Sequence, residues 1–182
     1  MWHCQPTFWL PSEGLADKAA HDRIPYDLWH SQGYLETTPG STVSYEHVAH
    51  YLKNVFDRHR VGKLAFDRWG MGHLKPWLLN AGFTEQVIGD KFVPFGQGYQ
   101  SMSPALRDLE SIVLERKLRH GGHPVLQFCA SNCVIERDAA GNRKLSKRRS
   151  TGRIDGMIAL TMALGVAPLR TATKFDVEAL IA

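Results

Sequence analysis

The feature that most constrains this chain is Lys63-Leu64-Ala65-Phe66-Asp67-Arg68-Trp69, followed by Gly70 and Gly72. Lys63 to Phe66 has strand character and runs directly into a carboxylate. The glycines then end the strand before a helical apolar pattern sets in at Leu74. Strand, tight turn and helix in that order require an α/β build, with Asp67 at the carboxyl end of its strand. In open α/β sheets such ends collect ligands and catalytic groups, because the strand holds them rigid while the next loop exposes them. A second carboxylate, Asp155, heads an apolar helical segment immediately after Lys147-Arg148-Arg149-Ser150-Thr151-Gly152-Arg153-Ile154.

The rest of the chain reads as alternating elements around that unit. Residues 2–10 predict one aromatic-rich strand made irregular by Pro6, residues 15–23 a polar helix, and Pro25-Tyr26-Asp27-Leu28-Trp29 a further helical turn before a loop over 33–40. Val48, Tyr51, Leu52, Val55 and Phe56 recur at helical spacing behind Ser44 as N-cap. Leu74, Trp77, Leu78 and Leu79 mark a helix closed by Gly82, and Gln86–Ile88 with Phe92–Phe95 supplies the next extended segment, reached by a right-handed crossover. Residues 96–104 predict a flexible loop with Ser103 as N-cap and Pro104 at the first helical position. A helix carrying Leu106, Leu109, Ile112, Val113 and Leu118 inward and ending at His120-Gly121-Gly122, a short helix over 124–132, a hairpin at 133–145 and a helix from Ile154 to Leu164, stopped by Ala167-Pro168, complete the reading.

At 182 residues, 43% hydrophobic and 22% charged, the chain suits one globular domain. No apolar run reaches the roughly 20 residues of a membrane span, and the first residues lack the features of a signal peptide, so a cytoplasmic location is expected. Cys4, Cys129 and Cys133 read as buried thiols, since their spacing lacks the paired ligands of a zinc site. No Gly-x-x-x-x-Gly-Lys-Ser/Thr motif occurs, which excludes a P-loop ATPase site. The net charge of +4 is uneven, because Arg143, Lys144, Lys147, Arg148 and Arg149 crowd into seven residues. Such a cluster is an electrostatic footprint for polyanions as well as a simple solvated loop. Aspartates at a strand end and a helix start are the usual oxygen ligands for Mg²⁺ or Mn²⁺, although a helix-capping role for Asp155 accounts equally for its position.

Several segments in order, Pro25-Tyr26-Asp27-Leu28-Trp29, Leu35 to Gly40, Phe66-Asp67-Arg68-Trp69, Gln97-Gly98 with Ser101-Met102-Ser103, His120 to Leu126 and Lys147 to Leu160, resemble the large terminase subunit of tailed phages in its HK97-like branch. The resemblance runs over about residues 2–165 and is to the carboxyl-terminal nuclease domain. It implies a ribonuclease H-like α/β fold, a mixed sheet flanked by helices, and an endonuclease that cuts concatemeric DNA by two-metal hydrolysis with Mg²⁺ or Mn²⁺. It further implies Asp67 and Asp155 as catalytic metal ligands, with Lys144, Lys147, Arg148, Arg149, Arg153, Gln97 and Ser101 as DNA contacts. The family's third acid, on a central first strand, has no counterpart. The expectation is a single partial nuclease domain over residues 1–182, lacking the first two strands and the ATPase domain. The implied partner is double-stranded DNA, joined in a full-length protein by the portal and small terminase subunit, in the host cell cytoplasm and without a membrane. The alternative is a catalytically incomplete prophage remnant that only binds DNA or packaging partners. A sugar hydrolase with paired carboxylates about 5–10 Å apart fits poorly beside the basic cluster.

Overall fold

The computed structural model describes residues 1–167 of the 182. Its centre is a parallel pair, β4 (Leu64–Asp67) with β5 (Phe92–Phe95), in register from Leu64↔Phe92 to Asp67↔Phe95. A parallel pair needs a crossover, and α4 (Met71–Asn80) with α5 (Glu85–Lys91) provides it. Side chains alternate across the pair. Leu64, Phe66 and Phe92 join Ala49, Leu78, Phe83 and Ile88 in one cluster, which α3 (Tyr45–Arg58) closes. On the opposite face Ala65 and Phe95 pack against Met102 and Leu106 of α6 (Tyr99–Leu114) and Ile154, Ile158 and Met162 at α8 (Asp155–Val166).

The remaining strands are short. β1 (Trp2–His3) pairs in parallel with β6 (Leu118–Arg119), and β2 (Trp9–Pro11) with β3 (Glu36–Thr38). A hairpin joins β7 (Ile135–Arg137) to β8 (Arg143–Leu145), its turn closed by Asp138 Oδ1 accepting the Asn142 N–H at 2.8 Å. Among the described residues the strands form four two-stranded ladders rather than one continuous sheet. Three short helices complete the fold: α1 (Leu15–Asp22), α2 (Tyr26–Ser31) and α7 (Pro124–Asn132). No helix among the described residues is long and apolar enough to cross a membrane.

The local signals explain both agreement and departure. Ser44 caps α3, accepting the His47 N–H at 3.2 Å. After α4, Gly82 at φ 94° closes a Schellman turn, with Phe83 N–H to Leu78 and Gly82 N–H to Leu79. The extended segment expected at Gln86–Ile88 is instead helix α5, because Thr84 Oγ1 accepts the Val87 N–H at 3.2 Å and Glu85 favours the first turn. That cap outweighs the β preference of Val87-Ile88. The single strand expected over residues 2–10 divides into β1 and β2, with Pro6 in the interval. Two helices begin earlier than expected, α4 at Met71 rather than Leu74 and α6 at Tyr99 rather than Pro104, so Pro76 and Pro104 lie inside them. In α6 the extra turn buries Met102 and Ser103, and the Ser103 hydroxyl accepts the Arg143 N–H at 3.2 Å instead of capping the helix. Tertiary packing overrides the local proline signal here. Leu78 is buried as expected, whereas Trp77 and Leu79 are exposed. Ala167 caps α8, and Pro168 lies outside the described residues.

α8 sits against its neighbours too closely for side chains at two positions. A Cβ on Gly156 would stand 2.8 Å from the Phe8 ring and 3.3 Å from Cys129 Sγ. The Phe8 ring is itself packed on His123, at 5.4 Å between centroids, so a shift there disturbs a second contact. Gly156→Ala is therefore expected to cost about 1–3 kcal/mol, read as a lower denaturation midpoint with an unchanged m-value. A midpoint equal to wild type would mean that Phe8 yields freely. The thiols are packed as expected, Cys129 buried and Cys4 and Cys133 partly so, with burial pushing Cys133 up to about 11.

Candidate functional site

Strand order brings Asp67 and Gln97 together. Asp67 ends β4 and pairs with Phe95, so the loop leaving β5 passes alongside its carboxylate two residues later. Gln97 Nε2 donates to Asp67 Oδ2 at 2.5 Å, and the Trp69 N–H donates to Oδ1 at 3.2 Å. Both carboxylate oxygens are thereby oriented, with lone pairs still available for a cation or a water. Ser101 packs under this turn, its hydroxyl 3.2 Å from where a Cβ on Gly96 would stand. No hydrogen bond joins Ser101 to Asp67 among those described.

Asp155 is the first residue of α8, exposed at the positive end of the helix dipole. Lys147 Nζ lies 2.9 Å from its Oδ1. Both side chains are more than half exposed, so this pair positions charge without contributing much stability. Arg153, Lys147 and Asp155 line one open cleft of about 460 Å³ together with Asp22 and Tyr26. Asp22 and Tyr26 were not singled out from the sequence as site residues. Asp22 accepts from Lys18 at 2.9 Å and from the Tyr26 hydroxyl at 3.1 Å, and the lysine holds its carboxyl below the usual range. The one available sequence signal was spacing, since Lys18, Asp22 and Tyr26 follow one another at four-residue intervals.

Two observations relate the aspartates. Ala65, on the same face of β4 as Asp67 by strand alternation, packs against the cluster containing Ile154, the residue before Asp155. The basic loop meets Asp155 through Lys147 and the start of α6 through Lys144. Lys144 Nζ stands 4.7 Å from the Tyr99 ring centroid, and Tyr99 is two residues from Gln97. Burial raises the Tyr99 hydroxyl, with further contributions from Glu136, against which Arg149 acts as a nearby positive charge. Three residues beyond Lys144, Lys147 engages Asp155. Lys144 itself lies 4.0 Å from Glu136 across the β7–β8 hairpin. Arg148, Arg149 and Arg153 are exposed and make no ion pair among the described residues.

The donor chemistry suits a hard divalent cation, since Asp67 and Asp155 offer carboxylate oxygens and no competing soft ligands. The set is small. Among the described residues no group of three or more His, Cys, Asp or Glu side chains is placed to hold a metal ion. Among the described residues Asp67 and Asp155 share no hydrogen-bond partner, each being held by its own polar neighbour.

Comparison with known proteins gives these positions a context. A family model described as the terminase large subunit endonuclease domain matches residues 6–170. The terminase large subunit of Enterobacteria phage HK97 is 42% identical over 167 residues, 92% of this chain and 32% of that protein. Protein YmfN of Escherichia coli strain K12 is 27% identical over 173 residues, 90% of this chain and 36% of its own. The chain therefore spans about a third of the length of these curated relatives. The crystal structure of the HK97 large terminase superposes with a TM-score of 0.83 at 42% identity, over 92% of this chain and 34% of that one. The large terminase nuclease of thermophilic phage G20c matches in fold alone, with a TM-score of 0.51 at 14% identity over 68% of this chain and 63% of that one. The architecture is accordingly the ribonuclease H-like α/β fold that the sequence resemblance implied. With a family model spanning residues 6–170 and a 42% identical terminase covering nearly all of its length, this chain belongs to the endonuclease-domain family of phage terminase large subunits.

Proposed function

We propose that this chain is the metal-dependent DNA endonuclease domain of a packaging terminase, with Asp67 and Asp155 as the metal-binding carboxylates and residues 144–153 tracking the phosphate backbone. The observation that carries this reading is Lys147 of the basic loop engaging Asp155 at 2.9 Å, with β4, which ends in Asp67, packed through Ala65 on the cluster that contains Ile154. A bound Mg²⁺ or Mn²⁺ would supply Lewis acidity at the scissile phosphate and a nucleophilic water at neutral pH. Gln97 holds Asp67 in one rotamer so that its free lone pairs point outward. Lys147 holds the Asp155 carboxylate in place until a cation or phosphate competes for it. Arg148, Arg149 and Arg153, which make no ion pair among the described residues, supply sequence-independent contacts, and Ser101 with Gln97 borders the strand that enters beside Asp67. The portal and small terminase subunit are partners of the longer protein in this reading, and its setting is the host cytoplasm.

Lys147→Glu with Arg148→Glu tests the loop. Affinity for duplexes of unrelated sequence should fall alike, and the slope of log affinity against log salt should flatten by about two. Equal slopes for wild type and variant would reduce the loop to a solvated surface. A non-catalytic DNA-binding role has one observation in its favour, the absence of a three-acid group among the described residues. Binding without cleavage under every metal condition, in a protein of the relatives' full length, would select it.

A further inference from the structure

The surface leading away from Asp67 along α4 is aromatic and open. Trp69 is 81% exposed, although tryptophan is on average heavily buried, and its indole has no packing role in this fold. Its backbone is nonetheless anchored beside the candidate site, because the Trp69 main-chain N–H donates to Asp67 Oδ1 at 3.2 Å. The Arg68 guanidinium lies 5.3 Å from the Trp69 ring centroid, so a cation and an aromatic face are presented together. His73 and Trp77, four residues apart on α4, share one side of the helix, and Trp69 precedes His73 by the same interval. Tyr45, at the start of α3, stacks on His73 with 6.0 Å between centroids and 27° between planes. Tyr45 and Trp77 are also exposed.

We propose that Trp69 is a stacking platform for an unpaired nucleobase beside the scissile phosphate, with Arg68 on the adjoining phosphate and Tyr45, His73 and Trp77 continuing the path of the strand. The inference rests on the DNA endonuclease reading and narrows its substrate to DNA whose bases are locally unstacked. Within an intact duplex the base faces are occupied by their neighbours, so an exposed indole gains a stacking partner only where a strand has opened. An aromatic face accepts any base, whereas the paired guanidinium selects for a polyanion over an apolar protein surface. The tether to Asp67 places the opened nucleotide next to the carboxylate rather than elsewhere on the domain.

The test measures binding of end-labelled mixed-sequence single strands and of the matching duplex by anisotropy, without divalent metal, for wild type, Trp69→Ala and Trp69→Phe. Trp69→Ala should weaken single-strand binding by about tenfold and duplex binding by less than about twofold, while Trp69→Phe retains most of the single-strand affinity. Because the side chain is exposed, matching circular dichroism and melting will establish that the variants fold. Equal losses on both DNAs, or no loss on either, would overturn the stacking role. Wild type that binds duplex and ignores single strands would overturn it while leaving the endonuclease reading intact. Wild type that binds neither would remove both. A dimer in sedimentation that Trp69→Ala dissolves, with DNA binding unchanged, would assign the face to a second copy instead and overturn the proposal.

Discussion

Asp67→Asn is expected to lower metal-dependent cleavage by about 10³-fold or more while leaving duplex binding within about twofold. The suitable setting is a protein of the relatives' length, such as the HK97 large terminase with residues 6–167 of this chain grafted in place of its own segment. The 0.83 TM-score of the two folds makes that graft practicable. The amide is nearly isosteric with the carboxylate and keeps a bond to Gln97 by turning, so the fold is undisturbed. The loss is one negative charge opposite a divalent cation, worth several kcal/mol where water is displaced. Gln97→Ala should act through Asp67 alone. It leaves the charge but frees the rotamer, and a loss of about 10–100-fold in metal affinity is the usual consequence of removing such a partner. Raising Mn²⁺ should recover much of the activity of Gln97→Ala and little of Asp67→Asn. A cleavage rate for Asp67→Asn within about threefold of wild type would remove Asp67 from the metal site.

The positions of Asp67 and Asp155 were legible because each sits at a break in periodicity that the backbone obeys. β4 does end at Asp67 and α8 does begin at Asp155, within a residue of where strand character gives way to glycines and basic residues to an apolar run. The partners of those carboxylates were harder to read. Gln97 reaches Asp67 because β5 lies parallel to β4 in one register, and a pairing 30 residues apart in sequence leaves no local trace. Lys147 and Asp155 are eight residues apart with an irregular loop between them, so the basic run announced itself while its ion pair did not. The misplaced elements share a cause. At Thr84 a side-chain cap turned an apolar pair into a helix, and at Pro104 burial of Met102 and Ser103 carried α6 across the proline expected to open it. Exposure was the least legible property of all. Trp69 and Trp77 have the composition of core residues and lie on the surface.

The isolated 182-residue chain is expected to show little Mg²⁺-dependent cleavage, below about a hundredth of the rate of the grafted full-length protein under the same conditions. Two divalent ions about 4 Å apart repel by about 17 kcal/mol even at an effective dielectric constant of 20, and a site holds both only when enough carboxylates offset that charge. Two aspartates neutralise half of the four positive charges. Two other acids are already paired, Glu110 with Arg143 at 2.8 Å and Asp22 with Lys18 at 2.9 Å. Both carboxyls are held below their usual range by those partners, which is the signature of ion pairs already made. One cation should then bind loosely, with affinity raised by the phosphate oxygens of DNA, while the second joins when a further carboxylate completes the set. Isothermal titration with Mn²⁺ should accordingly give at most one weak site for the isolated chain and two for the graft in the presence of DNA. Robust plasmid cleavage by the purified chain, abolished by Asp67→Asn, would refute this and would direct attention to Asp22, the acid that already shares a cleft with Asp155. Asp22→Asn would then remove the activity, and Lys18→Met, which frees the Asp22 carboxylate, would raise it.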